Sequence, residues 1–277
     1  MRISIPLSRG LALVIDDTPP VGREYPTASL QKGFILWDEG EQLADEAVGF
    51  GVPVLQKGLQ TIFPGAVELA WFQRELTWQI TARFRMNLVE KISRSGKGNL
   101  ENKALYLIKN LLAAEIRRTS MLRSLLTGIS NNLRRLFQWK TIYAETGFST
   151  ELLVLYTLDS LTGKILVEFE TTCLPASITQ VMLMNEQGAQ TFDRYLDTSG
   201  LALQNDEIGC WDEVKAEEAW FESSTHRVGF RLGQVQGARL FRGRELVGSR
   251  LAWAGFGYSI PLTLKSFRSE MKIVKLS

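Results

Sequence analysis

The sequence predicts a mainly β protein: a large antiparallel β-sandwich-like fold carrying one long amphipathic helical insertion at about residues 100–137. Three observations lead there. In "LTWQITARFRMNL", apolar Trp78, Ile80, Ala82, Phe84, Met86 and Leu88 alternate with Thr77, Gln79, Thr81, Arg83, Arg85 and Asn87. That is the period of two of a strand with one face in a core and the other in water. In "ELLVLYTLDSLTGKILVEFETT", two β-rich runs flank a turn at Thr162 and Gly163, the signature of a hairpin. From Leu100 to Phe137, by contrast, Leu105, Ile108, Leu112, Leu122, Leu126, Ile129, Leu133 and Leu136 recur at three- and four-residue steps, an amphipathic helix pattern.

Taken in chain order, strands are expected at Arg2–Leu7, Leu11–Asp16, Phe34–Trp37 and Ala66–Phe72, ahead of the long alternating strand. The Gly/Ser-rich "SRSGKGN" then ends in Asn99, a suitable N-cap for the helical block, and Glu115 and Thr119 interrupt the apolar stripe where a corner is expected. After the block come strands at Lys140–Glu145, Leu152–Leu158, Thr179–Met184, Arg227–Leu232, Arg250–Trp253 and Met271–Leu276, with Gly and Pro in most gaps. The run Leu152–Leu158 is apolar on both faces and therefore reads as a central, covered strand. The expected organisation is a single β domain over 1–277 with the insertion at 99–138, the alternative being a division into 1–138 and 139–277.

Composition narrows the function classes. With 45% hydrophobic and 22% charged residues, the chain is neither disordered nor collagen-like. Lys+Arg 32 against Asp+Glu 30 leaves a formal charge of +2, so no nucleic-acid partner is expected. Cys173 and Cys210 lie far apart, outside any metal-ligand spacing, and read as buried free thiols. No apolar run has the length of a transmembrane segment or of a signal-peptide core, so a cytoplasmic, soluble protein is expected. His226 is the only histidine, which excludes His-rich zinc sites and facial triads with two histidines. No GxSxG, Walker A, GxGxxG or CxxC motif occurs; no metal and no cofactor are expected.

One tripeptide occurs twice. "WDE" stands in "FILWDEGEQLADEAVGFG" from Phe34 and in "IGCWDEVKAEEAWFESSTHRVGF" from Ile208. The first copy reads as the end of a strand, with Ile35, Trp37 and Glu39 on one face and Asp38 on the other. Crowding of Asp38, Glu39, Glu41, Asp45 and Glu46 beside an aromatic ring raises carboxylate pKa values by like-charge repulsion and suits a sugar-binding surface. The second copy reads as a helix start, Asp212 capping a helix from Glu213 to Glu222.

The function expected on these grounds is carbohydrate recognition or processing. Trp37 would stack on the sugar, Glu39 with Asp38 or Glu186 would form the acid/base pair, and Glu46 would line the site. Arg242 and Arg244, flanking the tip of a hairpin that turns at Gly243, would project into solvent and grip an acidic substituent or anionic small molecule. The alternative is a non-catalytic interaction protein. Its basic 100–137 helix, carrying Arg117, Arg118, Arg123, Arg134 and Arg135, would bind a partner, a membrane surface or a second copy in a homo-oligomer.

Overall fold

The structure, a computed structural model, describes residues 1–17, 33–44, 49–58, 60–94, 140–209, 211–247 and 251–276. The described strands are β1 (Arg2–Pro6), β2 (Leu11–Asp16), β3 (Ile35–Asp38), β4 (Glu41–Gln42), β5 (Phe50–Lys57), β6 (Gln60–Ile62), β7 (Pro64–Arg74), β8 (Thr77–Arg94), β9 (Lys140–Asp159) and β10 (Lys164–Glu170). They continue with β11 (Gln180–Gln187), β12 (Arg194–Asp197), β13 (Ala202–Gln204), β14 (Asp212–Glu213), β15 (Glu218–Ser223), β16 (Val228–Gly233), β17 (Arg239–Val247), β18 (Leu251–Pro261) and β19 (Ser266–Lys275). They form a four-stranded sheet β1-β2-β3-β4, a nine-stranded sheet β13-β12-β15-β16-β19-β10-β9-β8-β7 and a six-stranded sheet β14-β17-β18-β11-β5-β6. Two compact units divide the chain, Met1–Leu88 with Gly147–Ser277, and Val89–Thr146; the sandwich and its sites belong to the first.

The inner faces of the nine- and six-stranded sheets meet through aromatic rings. Phe50 of β5 lies 4.8 Å from Phe230 of β16, Phe256 of β18 lies 4.9 Å from Phe221 of β15, and Tyr258 of β18 lies 5.2 Å from Phe267 of β19, all between ring centroids. Each fully buried ring stabilises the sandwich by about 1.5–3 kcal/mol relative to an exposed one, and edge-to-face pairing adds to that. In β8 the alternation is complete from Trp78 to Met86: the apolar positions are buried and their neighbours are not. Sheet pairing follows from this pattern, because a slip of one residue would turn the whole apolar set to water.

Polar side chains hold the four-stranded sheet to the end of β11. The buried amide of Gln187 donates from Nε2 to Phe34 O at 2.9 Å and accepts from Leu36 N at 3.0 Å, so β3 is anchored by both halves of one amide. Where β5 and β11 slip register, Gly51 takes a left-handed φ of 77°. Its N–H donates to Asn185 Oδ1 at 3.0 Å and its carbonyl accepts from the Tyr156 hydroxyl, leaving no backbone group of the irregularity unsatisfied.

Several expectations are corrected. Among the described residues no helix of seven or more residues occurs, only two short 3-10 turns at Ser8–Gly10 and Asn205–Ile208, so the fold class is corrected to β with no long amphipathic helix among the described residues. The strands approach that stretch from both sides: β8 extends to Arg94, past the end of its clean alternation, and β9 begins at Lys140 and runs unbroken through the two strands expected separately. Residues 100–137, with the oligomer contact expected through them, lie outside the described residues. The helix expected from Glu213 to Glu222 is likewise overturned: Asp212–Glu213 is β14, Glu218–Ser223 is β15, and β15 pairs antiparallel with both β12 and β16. Tertiary pairing overrode helix propensity. The β9 run is covered on one face only, because Leu153 is 52% exposed. Cys173 is exposed rather than buried, and Cys210 lies outside the described residues.

Candidate functional site

The outer face of the six-stranded sheet is paved with glycine and overlaid with tryptophan. Residues with odd numbers in β17 and β18, and even numbers in β11, share this face: Gly243 pairs with Gly255, which pairs with Glu186, and Phe241 pairs with Gly257, which pairs with Met184. The sequence "WAGFGYSIP" thus puts bare backbone at alternate positions of β18. Two indoles occupy the space. A Cβ at Gly243 would come within 2.7 Å of Trp253 Cη2, and one at Gly257 within 2.7 Å of Trp211 Cζ3, so neither position admits a side chain while the rings are in place. Trp211 and Trp253 stack on one another with centroids 4.8 Å apart and planes 21° apart. Trp253 is buried together with Ile35 and Ala44, and the half-buried Trp37 and Trp211 both pack against that cluster.

The two tripeptide tryptophans therefore pack against one buried cluster. Trp37 reaches the cluster from β3, and Arg2 lies over its ring, 5.2 Å from the centroid. Its indole Nε1 is buried with no hydrogen-bond partner among the described residues. Trp211 reaches it through a left-handed backbone, φ 59°, a conformation costly for a bulky residue and maintained by the stacking it allows.

Two carboxylates stand on the same sheet face. Glu186 of β11 is partly buried, and its carboxyl is pushed up to about 8, first by loss of water and second by the negative Glu245 of β17. Among the described residues no cation pairs with Glu186, so the group is protonated at neutral pH. A neutral carboxyl can both donate and accept a hydrogen bond, which an ionised one cannot.

The other expected site residues go elsewhere. Asp38 leaves β3 on the face opposite Trp37, where it is 6% exposed. Its Oδ1 accepts from Lys275 Nζ, and its Oδ2 faces His226 Nδ1 at 3.4 Å. Both oxygens are committed to cations or donors, and Asp38 is not placed beside Glu186 as an acid/base partner. Glu39 sits in the exposed turn after β3, with φ 49°. Glu46 lies outside the described residues.

The hairpin tip expected at Gly243, with Arg242 and Arg244 projecting into solvent, is corrected, because β17 runs straight through Gly243 instead of turning there. Gly243 serves the tryptophans, not a hairpin tip. The two arginines consequently face inward: the Arg242 side chain is 12% exposed, with its guanidinium 4.7 Å from the Tyr195 ring centroid, and that of Arg244 is 5% exposed. Arg244 donates from Nε and Nη2 to Ala189 O at 3.1 and 2.9 Å, which cross-braces β17 to the loop after β11. Sequence reasoning missed Trp211, Trp253 and Glu245. The signal that could have found the first two was present: glycines two apart in a strand mark a face that something approaches closely.

Among the described residues no group of three or more His, Cys, Asp or Glu side chains is placed to hold a metal ion, and no helix is long and apolar enough to cross a membrane. Neither a family model nor a curated protein matches the sequence. Solved structures do match in fold. The chain is similar to the α-N-acetylgalactosaminidase NagBb from Bifidobacterium bifidum, in its Gal-NHAc-DNJ complex with a TM-score of 0.53 and 9% identity, and in its GalNAc complex with a TM-score of 0.52 and 9% identity. In both comparisons 99% of this chain is covered, but it spans only 36% of the length of the other. At that identity the likeness is one of fold.

Proposed function

We propose that this chain is a carbohydrate-recognising β-sandwich and that the outer face of its six-stranded sheet receives the sugar. The observation that carries the reading is the stacked Trp211–Trp253 pair on its glycine floor, with the neutral Glu186 on the same face. A pyranose ring presents one apolar face of C–H groups and a rim of hydroxyls. Indole answers the first by dispersion and C–H contact, and carboxyl groups answer the second by hydrogen bonding. The half-buried Trp211 and Trp37 supply the accessible ring surface, and Trp211 is braced by its stack on the buried Trp253. Glu186 donates to a hydroxyl oxygen and Glu245 accepts from another hydroxyl. The fold shared with a sugar-cleaving enzyme supports the substrate class.

The test is a broad glycan panel read by tryptophan fluorescence and calorimetry with the purified chain. Binding is expected to fall at least about tenfold in Trp211→Ala and to persist in Glu186→Gln, which imitates the neutral acid. A panel on which the native chain binds nothing, or on which Trp211→Ala binds as well as the native chain, removes this reading.

A further inference from the structure

β7 closes one edge of the nine-stranded sheet, and among the described residues no strand pairs with its outer side. Edge strands are ordinarily kept single by a charge or proline in mid-strand, a bulge, or a covering segment. β7 has its proline and its register slip at one end, at Pro64 and Ala66. Over the other end, "ELAWFQR" from Glu68 to Arg74, its ladder to β8 is regular, and Ala70, Trp71, Phe72, Gln73 and Arg74 are all exposed. Trp71 is 48% and Phe72 63% exposed, so each face of the strand presents a large ring to water. We propose that this stretch is a homodimer interface, in which two copies of the chain pair their β7 edges antiparallel about Trp71 and join their nine-stranded sheets.

The occupant is argued from the strand itself, which is complementary to its own reverse. A two-fold axis normal to the sheet keeps each face on its own side and makes every contact occur twice. Centred on Trp71, it sets Glu68 opposite the partner's Arg74 and Ala70 opposite the partner's Phe72 on one face. On the other face Trp71 meets the partner's Trp71, and Leu69 meets the partner's Gln73. Each charge therefore faces its opposite, and each phenylalanine ring faces a small residue that leaves room for it. The neighbouring registers lose this match. Centring on Ala70 sets Arg74 opposite Ala66, and centring on Phe72 sets Glu68 opposite Leu76.

The groups this register uses are at hand. Arg74 forms no ion pair among the described residues. Glu68 is met from its own sheet by Arg85 at 3.4 Å, with both side chains more than half exposed, and a carboxylate so placed still has lone pairs to offer a second cation. Trp71 packs against the buried Trp78 with ring centroids 5.2 Å apart, so its ring is already positioned and little rotamer freedom is lost on pairing. The interface stands independently of the sugar reading, which concerns the six-stranded sheet.

The experiment is sedimentation velocity of the whole chain over a concentration series, with folding checked by circular dichroism. So short a seam is expected to give a reversible dimer that dissociates at roughly micromolar concentration, and more readily as salt rises. Phe72→Lys, at an exposed position, is expected to raise the dissociation constant at least about tenfold. Arg74→Glu, which sets like charges opposite one another, should also weaken the dimer, whereas Arg74→Lys should retain it. Leu153→Lys, at a 52% exposed apolar position on β9, should leave association unchanged. Oxidation reads the register in a Cys173→Ser/Cys210→Ser chain. Directly opposite Cα atoms of antiparallel strands lie about 4.5–5.5 Å apart, within disulfide reach, so Trp71→Cys is expected to give a disulfide-linked dimer and Phe72→Cys is not. A native chain that stays monomeric at the highest concentration, a dimer indifferent to Phe72→Lys, or cross-linking by Phe72→Cys in preference to Trp71→Cys overturns the proposal.

Discussion

The same three letters, Trp-Asp-Glu, are used in two ways in this molecule, and the contrast shows what a local motif can determine. At the first copy Asp38 is buried and shared between Lys275 and His226, while Glu39 is exposed in a turn. At the second, Asp212 faces Arg242 at 3.8 Å from an exposed position, and Glu213 forms a bidentate pair with Arg239, both contacts at 2.9 Å. The acids share nothing but spelling. The tryptophans, however, pack against one buried cluster of Ile35, Ala44 and Trp253 from positions 174 residues apart, Trp37 to Trp211. Identity of sequence carried no common acid chemistry; the shared aromatic destination came from sheet packing.

That comparison can be broken at its meeting point. Trp253→Ala removes the largest side chain of that cluster and is expected to cost about 3–5 kcal/mol in urea unfolding, with Trp211→Ala costing clearly less because its ring is half in water. Equal losses would mean that Trp253 is not the main support of the cluster. The next effect should separate the two aspartates. Asp38→Ala leaves Lys275 and His226 facing an empty site and is expected to cost about 2–3 kcal/mol, whereas Asp212→Ala, at an exposed position, should leave the urea midpoint unchanged.

Glu186 sharpens the contrast between a compensated and an uncompensated acid. Its carboxyl titrates near 8 when folded, against the ordinary 4.5. Between those values the folded chain keeps a proton that the unfolded chain has lost, so this contribution to stability is present below about 4.5 and disappears as pH rises through about 8. Glu186→Gln abolishes that dependence. Its melting temperature should exceed that of the native chain by about 4 °C or more at pH 9, and by less at pH 4. A constant difference across that range would refute the assignment. The smallest effect belongs to the second motif's glutamate. Its pair with Arg239 is fully exposed, and Glu213→Gln should shift neither the urea midpoint nor the melting temperature measurably, at low or high salt.

What was legible in the sequence was whatever has a short period and an unambiguous face. The alternation from Trp78 to Met86 announced β8, and the run around Thr162 and Gly163 announced the β9–β10 hairpin, because a period of two needs no distant partner to be read. The Glu213–Glu222 stretch failed for the complementary reason: good helix formers near an N-cap residue describe an isolated segment, and here β12 and β16 claim its backbone hydrogen bonds. Gly243 was read as a turn because glycine most often relieves φ. Its actual constraint is the approach of Trp253 and Trp211 from two other segments, and no local pattern of β17 alone contains that.

The sequence by itself determined the strand pattern, the absence of common nucleotide and acyl-transfer motifs, and the availability of one histidine and seven tryptophans. Tertiary structure decided which tryptophans meet, which carboxylate is neutral and which arginines are buried. The reason is physical. Strand periodicity is written in neighbours two residues apart, whereas the pKa of Glu186, the ion pairs of Asp38 and the inward turn of Arg242 and Arg244 depend on distant groups that share space only after the sheets have closed.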